Sequence, residues 1–292
     1  MRVLVTGAAG QLGRVLVRAL ADHAVTGLAR EQLDITSPGE IDKAIETTRP
    51  EILINAAAYT DVDGAEGDDR SALLANAKGP ERLARATASI GIPMVQLSTD
   101  YVFDGERDRP YTEYDPTGPI SVYGRSKLAG EDAVRASNPK HYIVRTAWLY
   151  AVEGSNFPNT MRTLAGRNDV RVVDDQKGSP TYAPHLAEAI KRLIATGKFG
   201  TYHIAGRGGA TRYELACALF ETLGSNTRVV PVPTSAMPRP APRPRYSVLE
   251  TAAEPRILLP PWHEGLRAFA GALAHADRQT GSSEGSSSSG RS

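Results

Sequence analysis

The chain has 292 residues, 41% of them hydrophobic, enough for one large domain or two modest ones, each with a core of its own. Lys and Arg number 34 against 33 Asp and Glu, so no basic footprint points to nucleic acid or to an anionic membrane surface. Cys217 is the single cysteine, which excludes an internal disulfide and thiolate-built metal sites. Neither a signal-peptide core nor a run near the roughly 18–20 apolar residues of a bilayer span occurs, so a soluble, cytoplasmic protein is expected.

Through the first half, short apolar runs alternate with helical spacing, the pattern of βαβ units on a parallel sheet. Strands are predicted at Arg2–Thr6, Ala24–Leu28, Glu51–Asn55, Pro93–Ser98 and His141–Arg145. Helices are predicted at Gln11–Leu20, where Leu12, Leu16, Val17 and Leu20 share a face, and from Pro38 to about Thr48 behind Ser37. Two more follow at Ser71–Ser89 and Pro119–Ala136. This series predicts an α/β fold of the Rossmann type, a doubly wound parallel sheet.

Beyond Tyr150 the pattern weakens into a smaller α/β region. Helical spacing covers Asn159–Ala165, Pro184–Ile194, Arg212–Leu223 and Trp262–Ala274, and short strands are expected at Val170–Val173 and Thr201–Ile204. Val230–Pro244 carries six prolines and reads as a stiff extended segment rather than sheet or helix. The Gly/Ser-rich end, residues 277–292, lacks apolar residues and is expected to be disordered.

Thr6-Gly7-Ala8-Ala9-Gly10-Gln11-Leu12-Gly13 spaces three glycines as G-x-x-G-x-x-G between the first strand and the first helix. A Cβ there would keep the backbone from a pyrophosphate, and the helix N-terminus offers unpaired N–H groups to negative charge. A plain tight turn is the rival reading; the position at the first strand–helix junction favours a dinucleotide. Strict NAD use would want a carboxylate where the second strand ends. Ala29 and Arg30 stand there instead, Arg30 being suited to a 2′-phosphate and Asp34 to a ribose diol, so NADPH or both NADPH and NADH are expected.

Tyr123 and Lys127 lie at i and i+4, on one helix face. A free phenol with pKa near 10 moves protons poorly at neutral pH, and a nearby cation favours its ionised form. Such pairs are also ordinary on solvated helices. Ser98-Thr99-Asp100, ending the fourth strand where open α/β sheets bind ligands, favours the chemical reading.

These segments, together with Asn55-Ala56-Ala57-Ala58, Ser98 through Gly105, Tyr59 through Glu66, Arg145 through Tyr150, Asp174 through Thr181 and Pro240 through Pro244, resemble the extended short-chain dehydrogenase/reductases. Within them the chain is most similar to the dTDP-4-dehydrorhamnose reductase family, from Met1 to about Ala274. The resemblance implies an NAD(P)-binding Rossmann domain over 1–150, with later returns near 170–197, and a mainly substrate-binding domain over 151–276. It implies a cofactor site of Gly10, Gln11 and Leu12 at the pyrophosphate, within the turn that Gly7 and Gly13 space, Asp34 and Ile35 at the adenosine, and Ala58, Tyr59 and Thr60 along the nicotinamide half; Arg30, which could equally be a solvated loop charge, stands beside them on its own residue type. Lys127 would hold the nicotinamide ribose, Tyr123 would deliver the proton, Thr99 would bond the sugar carbonyl, and Asp100 and Trp148 would line the sugar pocket. Some family members use a helix-1 glutamate to bind magnesium at a dimer interface. Val15 stands at that position and cannot ligate a hard cation, so magnesium is doubtful and the chain is expected as a monomer or homodimer.

The implied activity is NAD(P)H-dependent reduction of the C4 ketone of dTDP-6-deoxy-L-lyxo-4-hexulose to dTDP-L-rhamnose. Three rivals stay open: a sibling 4-ketoreductase making another deoxysugar, such as dTDP-dihydrostreptose for an antibiotic; a nucleotide-sugar epimerase; and a non-catalytic regulatory subunit. Thr99, Tyr123 and Lys127 together argue against the last.

Overall fold

The structure, a computed structural model, describes residues 1–284. Its centre is a sheet of β1 (Arg2–Thr6), β2 (Ala24–Leu28), β3 (Ile52–Asn55), β4 (Met94–Thr99), β5 (His141–Thr146) and β10 (Gly200–His203). All pairings are parallel, in the order β10-β5-β4-β3-β1-β2. The order reverses between β1 and β3, so the crevice of a doubly wound sheet opens at the carboxyl ends of those strands.

Period-2 alternation buries both faces. Val3, Val5, Ile52, Ile54, Val95, Leu97 and Val144 pack with α1 (Gln11–Ala19) and α7 (Ala183–Ile194). Leu4, Leu53 and Met94 face the other way, against α2 (Pro38–Thr48), α4 (Gly79–Ser89) and α5 (Val122–Ser137). Each large side chain removed from water contributes about 1.5–3 kcal/mol, so the sheet is fixed from both sides. α7 and β10 return to this layer after the chain has left it. The return therefore runs through residues 183–203, not 170–197, because β7 (Asp169–Val173) pairs elsewhere.

A second core gathers α6 (Phe157–Thr163), α8 (Arg212–Thr222) and α9 (Trp262–Glu284) around Tyr150, Met161, Leu219, Trp262 and Phe269. β7 pairs there with β12 (Arg228–Val232), so the proline-rich stretch does enter a sheet at its start. Pro231 is tolerated because β12 lies at the edge of a two-stranded pair and needs no second ladder. α9 continues to Glu284, past the point at 277 where composition predicts disorder; the rest of that segment lies outside the described residues. No described helix is long and apolar enough to cross a membrane.

The single helix predicted at Ser71–Ser89 is instead α3 (Asp69–Leu73), a π turn at Leu74–Lys78, and α4. In an unbroken α-helix the Pro80 ring would press on the Asn76 carbonyl and leave it without its N–H, and the wider turn relieves that clash. Gly130 of α5 sits so close to the Asn76 carbonyl that a Cβ would collide with it.

Between α5 and the sheet lies a buried ion pair. Glu131, fully buried, accepts from Arg145 Nε at 2.9 Å and Nη2 at 2.6 Å, and from Ser98 Oγ at 2.5 Å. Behind it, His203 is neutral: its Nδ1 lies 3.0 Å from the Tyr111 carbonyl and Nε2 is 3.4 Å from Arg145, and burial pushes its pKa down to about 4. Removing one partner of such a pair strands a buried charge. Glu131→Ala is expected to cost about 3–5 kcal/mol in urea unfolding, whereas Glu131→Leu with Arg145→Met should recover most of the loss. Equal losses in the single and double variants would contradict this.

Candidate active site

The glycine turn forms the floor of the crevice. Gly7 adopts φ +67°, and a Cβ on it would come within 2.6 Å of the Ala57 backbone nitrogen; on Gly13 it would strike the Gly7 carbonyl. Gly10 is the N-cap of α1, with no side-chain cap and no acid in the first turn, so the helix presents its free N–H groups to the crevice. A polar row braces the neighbouring loop: Thr6 Oγ1 donates to Asn55 Oδ1 at 2.6 Å, and Asn55 Nδ2 to Gln96 Oε1 at 2.8 Å. Asn55 Oδ1 also accepts from Ala57 N at 3.1 Å, which turns the chain into Ala58–Thr60. The turn, a backbone cradle that side chains would fill, fits a dinucleotide pyrophosphate.

Above it lies a cavity of about 760 Å³, lined by Gly10, Gln11, Leu12, Ala58, Thr60, Thr99, Asp100, Tyr123, Lys127 and Trp148 among others. Ser121 caps α5, accepting from Gly124 N at 3.1 Å, and so starts the helix just before Tyr123. Lys127 is buried and donates to the Leu97 carbonyl at 2.7 Å; burial lowers its pKa to about 8. Tyr123 shifts the opposite way to the sequence expectation. Burial and the Asp100 charge push its phenol well above 10, and a Thr99 hydrogen bond only partly offsets them. With its ammonium held on a main-chain carbonyl, Lys127 does not counter these effects.

Asp100 is buried, accepting from Ser247 Oγ at 2.5 Å and Thr99 Oγ1 at 3.0 Å, and burial raises its pKa to about 6. Thr99 in turn accepts from Tyr101 N at 3.2 Å. The second lobe supplies the far wall. Trp148 holds φ +43°, a conformation that costs a bulky residue energy and concentrates at functional sites. Its indole lies under the Arg212 guanidinium, 3.6 Å from ring centroid to Cζ, and against Gly178, where a Cβ would collide with it. Arg171, Arg239 and Arg243 line the same wall. Arg243 grips Asp63 with both nitrogens, at 2.6 and 2.9 Å, tying the proline-rich loop to the segment after β3.

The remaining expected positions lie outside the cavity lining. Gly7 and Gly13 shape the turn. Arg30 is exposed; Asp34 accepts from Thr36 N at 2.8 Å and Thr36 Oγ1 at 2.7 Å, bonds that lower its pKa. Ile35 is buried in the core against Gly79. Tyr59 is held by its backbone, N donating to Asn76 Oδ1 at 2.9 Å and O accepting from Asn76 Nδ2 at 3.0 Å. Asn76 also donates to Ser126 Oγ at 3.0 Å, which joins this loop to α5 next to Lys127. Sequence reading missed Asn76, Arg171, Arg212, Arg239 and Arg243. Pro80 and its consequence for the helix were the available signal for Asn76, and the Pro240–Pro244 segment was the one for Arg243; Arg171, Arg212 and Arg239 had none short of the tertiary fold. Val15 packs its side chain against the first core.

Comparison with known proteins gives a family model described as the RmlD substrate binding domain, matching residues 1–274. A dTDP-4-dehydrorhamnose reductase of Mycobacterium tuberculosis is 45% identical over 94% of this chain and 92% of its own. A probable dTDP-4,6-dihydroxy-2-methyloxan-3-one 4-ketoreductase of Streptomyces antibioticus is 45% identical, covering 85% and 86%. A crystal structure of dTDP-4-dehydrorhamnose reductase from Bacillus anthracis, in complex with NADP, superimposes with a TM-score of 0.90 at 39% identity, covering 92% of this chain and 98% of that one.

Lys127 yields a test with a definite sign. Its folded pKa of about 8 lies below the 10.5 of a free lysine, so the unfolded chain binds more protons between those values and stability rises with pH there. Lys127→Met removes the buried charge, and the Leu97 carbonyl keeps its bond from Gln96 Nε2 at 2.9 Å. The variant is therefore expected to melt higher than the parent at neutral pH and to lose the rise above pH 8. A lower melting temperature at neutral pH would show that the ammonium stabilises the fold.

Proposed function

The chain belongs to the dTDP-4-dehydrorhamnose reductase family, and from that premise we propose that it reduces the C4 ketone of dTDP-6-deoxy-L-lyxo-4-hexulose to dTDP-L-rhamnose at the expense of NADPH. The observation that carries the reading is the meeting of Tyr123, Thr99 and Lys127 in one cavity that joins the glycine turn to an arginine-lined wall.

Gly10, Gln11 and Leu12 would hold the cofactor's pyrophosphate on the open end of α1, with Ala58 and Thr60 of the cavity wall beside its nicotinamide half, the Tyr59 backbone between them pinned by Asn76, and Lys127 at the ribose. Bound NADPH supplies the hydride for C4. Tyr123 gives its proton to the C4 oxygen as charge develops there, and a phenol kept neutral by burial and by Asp100 is the species able to do so. Thr99 donates to the same oxygen once its hydroxyl turns from Asp100; Ser247 remains on that carboxylate and lessens the cost of the turn. The phenolate left behind shares a helix face with Lys127. Asp100 thus acts through Thr99, and Trp148 walls the sugar.

Arg171 and Arg212 form no salt bridge among the described residues, Arg212 feeling the Asp100 charge without touching it, and both face the cavity, where a diphosphate would find them. The relative from Streptomyces antibioticus favours a second reading, a related dTDP-4-keto-deoxysugar reduced by the same groups. A panel of dTDP-4-keto-6-deoxy sugars with NADPH consumption as readout separates the two, and no turnover with any member would contradict both.

Tyr123→Phe is expected to lose almost all turnover while binding NADPH within a few-fold of the parent, since the hydroxyl acts in proton transfer. Near-normal turnover would remove Tyr123 from its role. Arg30, exposed at the end of β2, is proposed to meet the 2′-phosphate; such a contact contributes about 1 kcal/mol, or several-fold in affinity. Arg30→Ala should raise the NADPH KM several-fold and leave that for NADH nearly unchanged, and equal effects on both would contradict the contact.

A further inference from the structure

Three buried side-chain oxygens lack any hydrogen-bond partner among the described residues: Thr146 Oγ1, Tyr150 OH and Asn159 Oδ1. Of these residues, Thr146 alone lines the cavity. It is the last residue of β5, 8% exposed, and it pairs in register with Thr99 of β4. Side chains of paired residues project to the same face of a sheet, so the two hydroxyls stand side by side at the carboxyl edge. Thr99 is engaged on both sides, by Asp100 and by Tyr101 N; Thr146 is engaged by nothing.

A hydroxyl taken out of water and left unpaired is a standing cost, and valine would fill the same space with equal strand preference and no such cost. We propose that Thr146 is a further ligand-contacting residue of the reduction, whose hydroxyl completes its hydrogen bonding on the bound reactants. Its partner is a neutral polar group beside the reacting carbon: the carboxamide of the nicotinamide or a ring hydroxyl of the sugar. Both offer a donor and an acceptor to match the hydroxyl's own. The inference rests on the reductase reading above.

Thr146→Val and Thr146→Ser in the full chain provide the test, read by melting temperature, by NADPH titration, and by steady-state kinetics with the dTDP-4-keto sugar. The valine variant should melt no lower than the parent, because the free protein makes no bond to that oxygen. Its kcat/KM should fall about five- to tenfold, the share of one hydrogen bond, and serine should restore most of it. A loss that shows in NADPH affinity identifies the carboxamide; a loss confined to sugar KM or kcat identifies the sugar hydroxyl. Unchanged NADPH affinity together with unchanged kcat/KM would overturn the proposal, as would a lowered melting temperature with no rescue by serine. A parent enzyme that turns over no sugar would contradict the reductase reading instead. Direct titration of Thr146→Val with NADPH and with the dTDP-4-keto sugar then decides, and unchanged affinity for both overturns the contact.

Discussion

The site depends on α5 being held still against β4 and β5. Tyr123 and Lys127 ride on that helix, whereas Thr99 and Asp100 belong to the end of β4, so these side chains line one cavity only if helix and sheet keep their register. Glu131, one turn beyond Lys127, supplies the lock: a buried carboxylate gripped by Arg145 of β5 and Ser98 of β4. A buried ion pair adds little net stability over an apolar contact of equal shape, but its geometry admits one arrangement. Asn76 does the same at the other edge, fastening the loop after β3 to Ser126.

Around this frame the cavity collects features that weigh against folding. Lys127 and Asp100 are buried with pKa values moved toward their neutral forms, Trp148 sits at positive φ, and Thr146 keeps an unpaired hydroxyl. Their concentration in one crevice is what a site built for ligands looks like when strain is stored there and offset elsewhere. The direction of the Tyr123 shift fits reduction in particular. A ketone becoming an alcohol needs a proton delivered, and a raised phenol pKa keeps that proton in place until negative charge forms on the substrate oxygen.

What could be read from the sequence was whatever is encoded locally. The glycine turn, the Tyr123–Lys127 spacing and the period-2 strands each need only a few consecutive residues to be recognised, and the parallel sheet follows from their alternation. The rest needed the chain brought together. Nothing local says that α7 and β10 return to the first layer, or that Arg212 lands on Trp148. β12 was obscured by prolines that an edge position tolerates, and the π turn by a helical spacing that continues through it. The influence of Lys127 on Tyr123 was inferred from spacing alone. Helix i,i+4 geometry places the two side chains on one face, yet the Leu97 carbonyl takes the ammonium, and the environment of the phenol is set by burial and Asp100 instead.

Net reduction requires this crevice to bring a reduced nicotinamide and a dTDP-4-keto sugar together, whereas an epimerase would return its cofactor unchanged. The most direct measurement is isotope transfer: the protein with stereospecifically C4-deuterated NADPH and dTDP-6-deoxy-L-lyxo-4-hexulose, the product analysed by NMR and mass spectrometry. The account predicts one deuterium at sugar C4, with one NADPH oxidised per dTDP-L-rhamnose formed when the label is on the transferred face. A sugar that isomerises without net oxidation of NADPH, or a reduced product carrying deuterium from neither face of the nicotinamide, would contradict it.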